Sequence, residues 1–306
     1  MRTKAVAPAL ELARRHYAVS VRPLLERALP GTPHSAARLA PADGGPGSPE
    51  EPLLLLLLPT PDAVARTDRL FAHRPQTAAP GHAGWDITDP DTWFTRHLGF
   101  DPHQGVTLAH WLTTPTAALA EVTGSDVLHD GLDRLTLART ALAWYPHDLW
   151  LHMLARQWQR IAREEALAAR CAEAGDTLGA DVAVGRTVRE LMRLGLLMDR
   201  RYPPHEHRLG AAFARTPYAP VLLPRLAATL AATDRHIQES WLARTYETVA
   251  RAHDALGVTA PLSAARDRRP ERFTAALVAR VTDPEIRALP LTGTPQPYAG
   301  PLRRSR

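Results

Sequence analysis

Apolar residues recur at helical spacing along most of the chain, and the pattern is longest between Trp144 and Pro217. From His147 onward, Trp150, Leu154, Trp158, Ile161, Glu165 and Ala168 share one face of a helix. His152, Arg156, Gln159, Arg163 and Arg170 make the opposite face, which the periodicity assigns to solvent. Asp148 is placed to cap this helix, because its carboxylate can accept a free backbone N–H of the first turn. Glu165 is the anomaly of the buried stripe: a carboxylate there is costly unless it is paired or put to chemical use. Gly175 and Gly179 mark a turn, and Asp176 or Asp181 caps the helix that follows. Its apolar face is Val184, Val188, Leu191, Gly195 and Met198, while Arg186, Arg189 and Arg193 form a stripe of guanidinium groups. Such forks suit phosphate or carboxylate, and the alternative is pairing with neighbouring glutamates or plain solvation. Tyr202-Pro203-Pro204 ends the helix, because proline cannot continue it.

Elsewhere the pattern is shorter. Ala9 to Leu29 reads as helix, kinked or restarted at Pro23, and Pro30 to Pro52 reads as an irregular loop. Leu53 to Leu58 and Trp85 to Thr88 are the two predicted strands, the first uniformly apolar and hence buried on both faces, with a short helix as its alternative because leucine is not a strong strand former. Short helices are predicted over 61–71, 92–98, 106–112, 115–122, 131–143, 220–232 and 272–281. A longer one is capped by Asp234, and His253 on its apolar side reads as a core histidine. The composite is an α+β, helix-dominated fold, with a small α/β head over residues 1–125, an all-helical domain over 126–285 and a Pro-rich tail over 286–306.

Composition narrows the function classes. The 306 residues carry a net charge of +5, which favours anions mildly. No basic cluster interleaved with aromatics and no nucleic-acid motif is present, so no nucleic-acid partner is expected. The six-leucine run is far too short to span a bilayer, so no membrane partner is expected either. The single cysteine, Cys171, excludes an internal disulfide, and no secretory leader is read at the N-terminus; both point to the cytoplasm. No Walker A loop, dinucleotide fingerprint or nucleophile elbow occurs. His205-Glu206-His207 lacks a second ligand set for a metal, and Cys171 lacks an activating histidine.

Several runs carry a family likeness: LGFDP (98–102), WLTTPTAALAEVTGSDVLHDGL (111–132), AWYPHDLWLHMLARQWQRIAREEA (143–166), RELMRLGLLMDRRYPP (189–204), LGAAFARTP (209–217) and AHDALGVTAPL (252–262). Through them the chain resembles the bacterial domain-of-unknown-function 4037 family. That resemblance implies a nucleotidyltransferase-like head followed by a helical half. It also implies transfer of a nucleoside monophosphate from a nucleoside triphosphate, with Mg²⁺, to a hydroxyl. In such a site a Gly-Ser turn cradles phosphate, carboxylates on neighbouring strands hold the metal, and a carboxylate from the helical half serves as base.

Carried over by position, Gly47 and Ser48 correspond to the phosphate turn, Asp86 in WDIT to a metal-binding carboxylate, and Glu164 and Glu165 to the base. Arg186, Arg189 and Arg193 are the further phosphate-binding candidates. The segment Arg38 to Leu53 lacks the D-x-D element, and His207 stands where the family places a lysine. Three readings follow. The first is an impaired or inactive nucleotidyltransferase-like protein that binds a nucleotide, a small anion or a protein partner. The second is a working enzyme with Asp86, Glu50 or Glu51 on the metal and Glu165 as base. The third is an interaction protein that never meets a nucleotide.

Overall fold

The computed structural model describes residues 6–39, 53–72, 84–262 and 269–292. The chain divides into two compact units, Met1–Ala143 and Trp144–Thr294.

The first unit opens with α1 (Val6–His16), passes through one π-helical turn, and restarts as α2 (Arg22–Ala28) with Pro23 in its first turn. Two strands follow, β1 (Ser35–Leu39) and β2 (Leu53–Leu57), then α3 (Pro61–Ala72), β3 (Gly84–Thr88) and α4 (Pro90–Leu98). The unit continues with α5 (Leu108–Thr113), α6 (Thr116–Gly124), β4 (Asp126–Asp130) and α7 (Arg134–Ala141). The four strands form one mixed sheet in the order β3-β2-β1-β4. β1 runs antiparallel to both neighbours, and β2 runs parallel to β3 with Leu55 opposite Asp86. Leu54 to Leu57 are fully buried, as expected of a central strand covered on both faces. The sheet packs against the first helices through Tyr17, Val21, Leu25, Ala36 and Leu56.

Two strands depart from the sequence reading. β1 lies in the stretch read as a loop, and β4 joins the sheet beyond residue 125. Ser-Ala-Ala-Arg-Leu favours helix by local propensity, and pairing with strands on both sides overrides that preference.

The second unit is wholly helical among the described residues: α8 (His147–Glu173), α9 (Thr177–Met198), α10 (Glu206–Phe213), α11 (Ala219–Ala231), α12 (Arg235–Asp254), α13 (Pro270–Val278) and α14 (Pro284–Arg287). α8 and α9 form an antiparallel hairpin about 40 Å long at 1.5 Å per residue. Gly175, at φ +75, supplies the left-handed turn between them, and Asp176 caps α9 by accepting from the Gly179 N–H at 2.8 Å. Asp148 does not cap α8. The helix starts behind Pro146, and Asp148 instead accepts from the backbone N–H groups of Thr282 and Asp283 and from the Thr282 hydroxyl, at 2.6–2.8 Å.

His152 and Arg156 are also corrected, being buried rather than solvated. α8 is covered by α9 on one side and α13 on another, so one apolar stripe understates what it buries. Trp158 illustrates this second coverage: its ring stacks on Phe273 at 4.2 Å, and its Nε1–H donates to His253 Nδ1 at 3.3 Å. His253 is the core histidine the periodicity indicates. Among the described residues no helix is long and apolar enough to cross a membrane.

Candidate functional site

A cavity of about 370 Å³ opens in the second unit. Gln159, Arg160, Arg163 and Glu164 from α8 line it, with Arg189, Glu190 and Arg193 from α9 and Glu206 from the start of α10. Leu291 and Thr292 complete the described wall. The hairpin explains this convergence. Residues about equally distant from Gly175 sit at the same level of the two helices: Trp150 Nε1–H donates to the Leu197 carbonyl at 2.9 Å, and Gln157 Nε2–H to the Glu190 carbonyl at 2.9 Å. Arg160 and Arg163 are therefore carried to the level of Arg189 and its neighbours.

α10 reaches the site because Gly195 leaves room for it. A Cβ at Gly195 would lie 2.5 Å from the buried ring of Phe213, so no larger residue fits unless α10 shifts. That approach sets Glu206 beside Arg189 Nη1 at 3.1 Å and Arg193 Nη2 at 3.8 Å.

The charges are unevenly matched. Glu190 is buried and fully engaged: Gln157 Nε2–H donates to its Oε2 at 2.7 Å and Arg189 Nε–H to its Oε1 at 2.8 Å. Glu206 is well exposed and shared by Arg189 and Arg193. Neither Arg160 nor Arg163 forms an ion pair among the described residues. Burial lowers the pKa of Arg193, Arg189 and Arg160 add to that lowering, and Glu190 and Glu206 oppose it. One turn before Arg160 lies the buried Arg156, whose pKa is lowered by burial and then by Arg160. Both arginines remain charged at neutral pH, and together they give the cavity a positive field with a low-dielectric backing. Two polar atoms of the wall, Glu164 Oε2 and Arg193 Nε, are buried without a hydrogen-bond partner among the described residues.

Of the sequence candidates, Glu164, Arg189 and Arg193 are brought together here, and Arg186 and Glu165 are not. Arg186 is exposed, one turn too far toward the hairpin loop. Glu165 is exposed rather than part of the buried stripe, because it follows Glu164 by a single residue and turns about 100° away. The protein packed around it nevertheless raises its pKa by desolvation, and Glu271 adds to the rise. Asp86, on β3, is ion-paired with Arg96 of α4. Gly47 and Ser48, like Glu50 and Glu51, lie outside the described residues. His205 and His207 stack at 5.9 Å, and among the described residues no group of three His, Cys, Asp or Glu side chains could hold a metal ion.

The sequence reading did not single out Arg160, named Glu190 only as a possible partner of the arginine stripe and Glu206 only between two histidines, and did not foresee that Gln159 and the exposed Arg163 border a cavity. The available signal was the hairpin itself: once Gly175 is taken as its turn, the α8 and α9 arginines fall at one level.

The profile of the family described as Domain of unknown function (DUF4037) matches residues 111–207. The matched span includes the whole α8–α9 hairpin and ends at the first turn of α10, so it contains every lining residue except Leu291 and Thr292. No curated protein matches the chain. Among solved structures, the chain is similar to a nucleotidyltransferase-like protein from Exiguobacterium sibiricum. The identity is 13%, the coverage is 89% of each chain, and the TM-score is 0.35.

Proposed function

We propose that the helical unit binds a small phosphate-bearing anion in the arginine-lined cavity, within a nucleotidyltransferase-like protein whose transfer activity is impaired. The observation that supports binding most is the pair Arg160 and Arg163, held at a cavity wall with no ion pair among the described residues. Guanidinium forks in a partly dehydrated pocket match phosphate oxygens in geometry and in charge. The impaired-transfer reading draws on the segment Arg38 to Leu53, which lacks a D-x-D element, and on Asp86, whose carboxylate is already neutralised by Arg96.

Calorimetric titration of the purified chain with ATP, GTP, CTP, UTP and pyrophosphate, each with and without Mg²⁺, tests this reading. Binding that persists without metal and disappears in Arg160→Gln/Arg163→Gln supports it. Binding that requires Mg²⁺ and is lost in Asp86→Ala instead makes the head an active nucleotide site, and an acceptor screen for nucleotidyl transfer then replaces it. If no phosphate compound binds, the chain is better described as an interaction protein.

A further inference from the structure

Resting on the anion-site reading, we infer that the ligand of this cavity is a phosphorylated polyol, in chemical class a sugar phosphate, whose hydroxyl groups are read by Glu164. The charge of the wall comes first. Arg160 and Arg163 are the arginines of the wall that form no ion pair among the described residues, and a phosphate monoester carries a charge of roughly −1.5 to −2 at neutral pH.

The second consideration is shape and surface. About 370 Å³ is room for roughly a dozen waters at about 30 Å³ each, far more than a bare phosphate fills. No aromatic side chain is present among the described lining residues, and Leu291 is their single apolar member. Among the described lining residues a nucleobase finds no aromatic ring, only guanidinium planes, whereas a polar body meets donors and acceptors on every side.

The third consideration is the pair of unsatisfied atoms. Glu164 Oε2 is an acceptor and Arg193 Nε–H a donor, and these two buried atoms have no hydrogen-bond partner among the described residues. The dianion of a phosphate monoester can serve the arginine but offers nothing to a carboxylate, since both only accept. A hydroxyl donates and accepts, so the hydroxyl groups of a polyol can serve both Glu164 and Arg193. Gln159 adds a further donor and acceptor on the same wall.

The test is calorimetry on the full chain with inorganic phosphate, glycerol 3-phosphate, ribose 5-phosphate, glucose 6-phosphate, AMP and glucose, for the native sequence and for Glu164→Ala. The tightest polyol phosphate is expected to bind at least about tenfold more strongly than inorganic phosphate, AMP is expected to gain nothing over ribose 5-phosphate, and glucose alone should not bind measurably. In Glu164→Ala the preference for polyol phosphate over phosphate should fall below about threefold, while phosphate itself binds as well or better because a like charge has gone. Binding of all phosphates with equal strength, or AMP about tenfold tighter than ribose 5-phosphate, would overturn the inference and leave the anion site standing. Absence of binding by every phosphate compound would remove the anion reading, and this inference with it.

Discussion

The two units handle their charges in opposite ways. In the head, the carboxylates around the sheet are met by partners: Asp126 by Arg38 at 2.8 Å, Asp86 by Arg96, and Asp101 by His103 at 2.7 Å and Arg134 at 3.2 Å. Asp130 accepts from the Ser35 hydroxyl and from the N–H groups of Leu135 and Thr136. Burial pushes Asp130 up, but these hydrogen bonds outweigh it and leave its pKa lowered overall. In the helical unit, guanidinium groups crowd one cavity and two of them have no ion pair among the described residues. Matched charges hold a fold together. Like charges kept close without partners cost stability, and sites that bind an external ion accept that cost.

Removing the scaffold beneath the cavity should have the largest effect. Trp158→Ala takes away a buried ring stacked on Phe273, and should cost about 3–5 kcal/mol in urea unfolding. A similar magnitude is expected from acid. Burial lowers the pKa of His253 to about 4, so the folded unit favours the neutral ring. Its contribution is complete above the ordinary histidine value near 6.5 and is lost as pH falls from there through about 4, a loss of roughly 3 kcal/mol. His152, also lowered to about 4 by burial and by Arg156, acts in the same window. Stability measured across that range should fall, and His253→Gln should flatten part of the slope. A native protein as stable at pH 4 as at pH 7 would contradict the assignment.

Single charge deletions sharpen the contrast. Arg38→Ala strips a buried cation from Asp126, whose side chain is only partly exposed, and should destabilise by about 2–3 kcal/mol. Arg160→Gln should change stability by no more than about 0.5 kcal/mol, and upward, because it relieves repulsion with Arg156 and Arg193. Equal losses from both variants in parallel chemical unfolding would erase the distinction between matched and unmatched charge.

Much of this architecture was legible in the residues. The six-leucine run and the Trp-Asp-Ile-Thr segment became central and edge strands; for the first, uniform apolarity between prolines outweighed leucine's weak strand preference, which also admitted a short helix. α8 and α9 follow from apolar spacing and from the turn at Gly175. β1 was not legible, because Ser-Ala-Ala-Arg-Leu is held extended by its neighbours rather than by its own preference. The site was half legible for a related reason. Periodicity shows which face of a helix is apolar, and the polar face of α8 is divided between solvent, core and cavity by helices distant in sequence. Arg156 went to the core, Arg160 and Arg163 to the cavity wall, and Arg170 to solvent. Glu164 and Glu165, adjacent and chemically alike, part company because one residue along a helix turns the side chain by about 100°.

The central claim concerns the two cavity arginines that form no ion pair among the described residues, and the most direct measurement is a titration of pyrophosphate into three proteins: the native chain, Arg160→Gln/Arg163→Gln and Arg186→Gln. The native chain should bind, the double variant should bind at least about tenfold more weakly, and Arg186→Gln, which removes an exposed charge outside the cavity, should match the native chain within about twofold. Equal weakening by Arg186→Gln would show that bulk charge rather than the cavity attracts the anion, and would contradict the account.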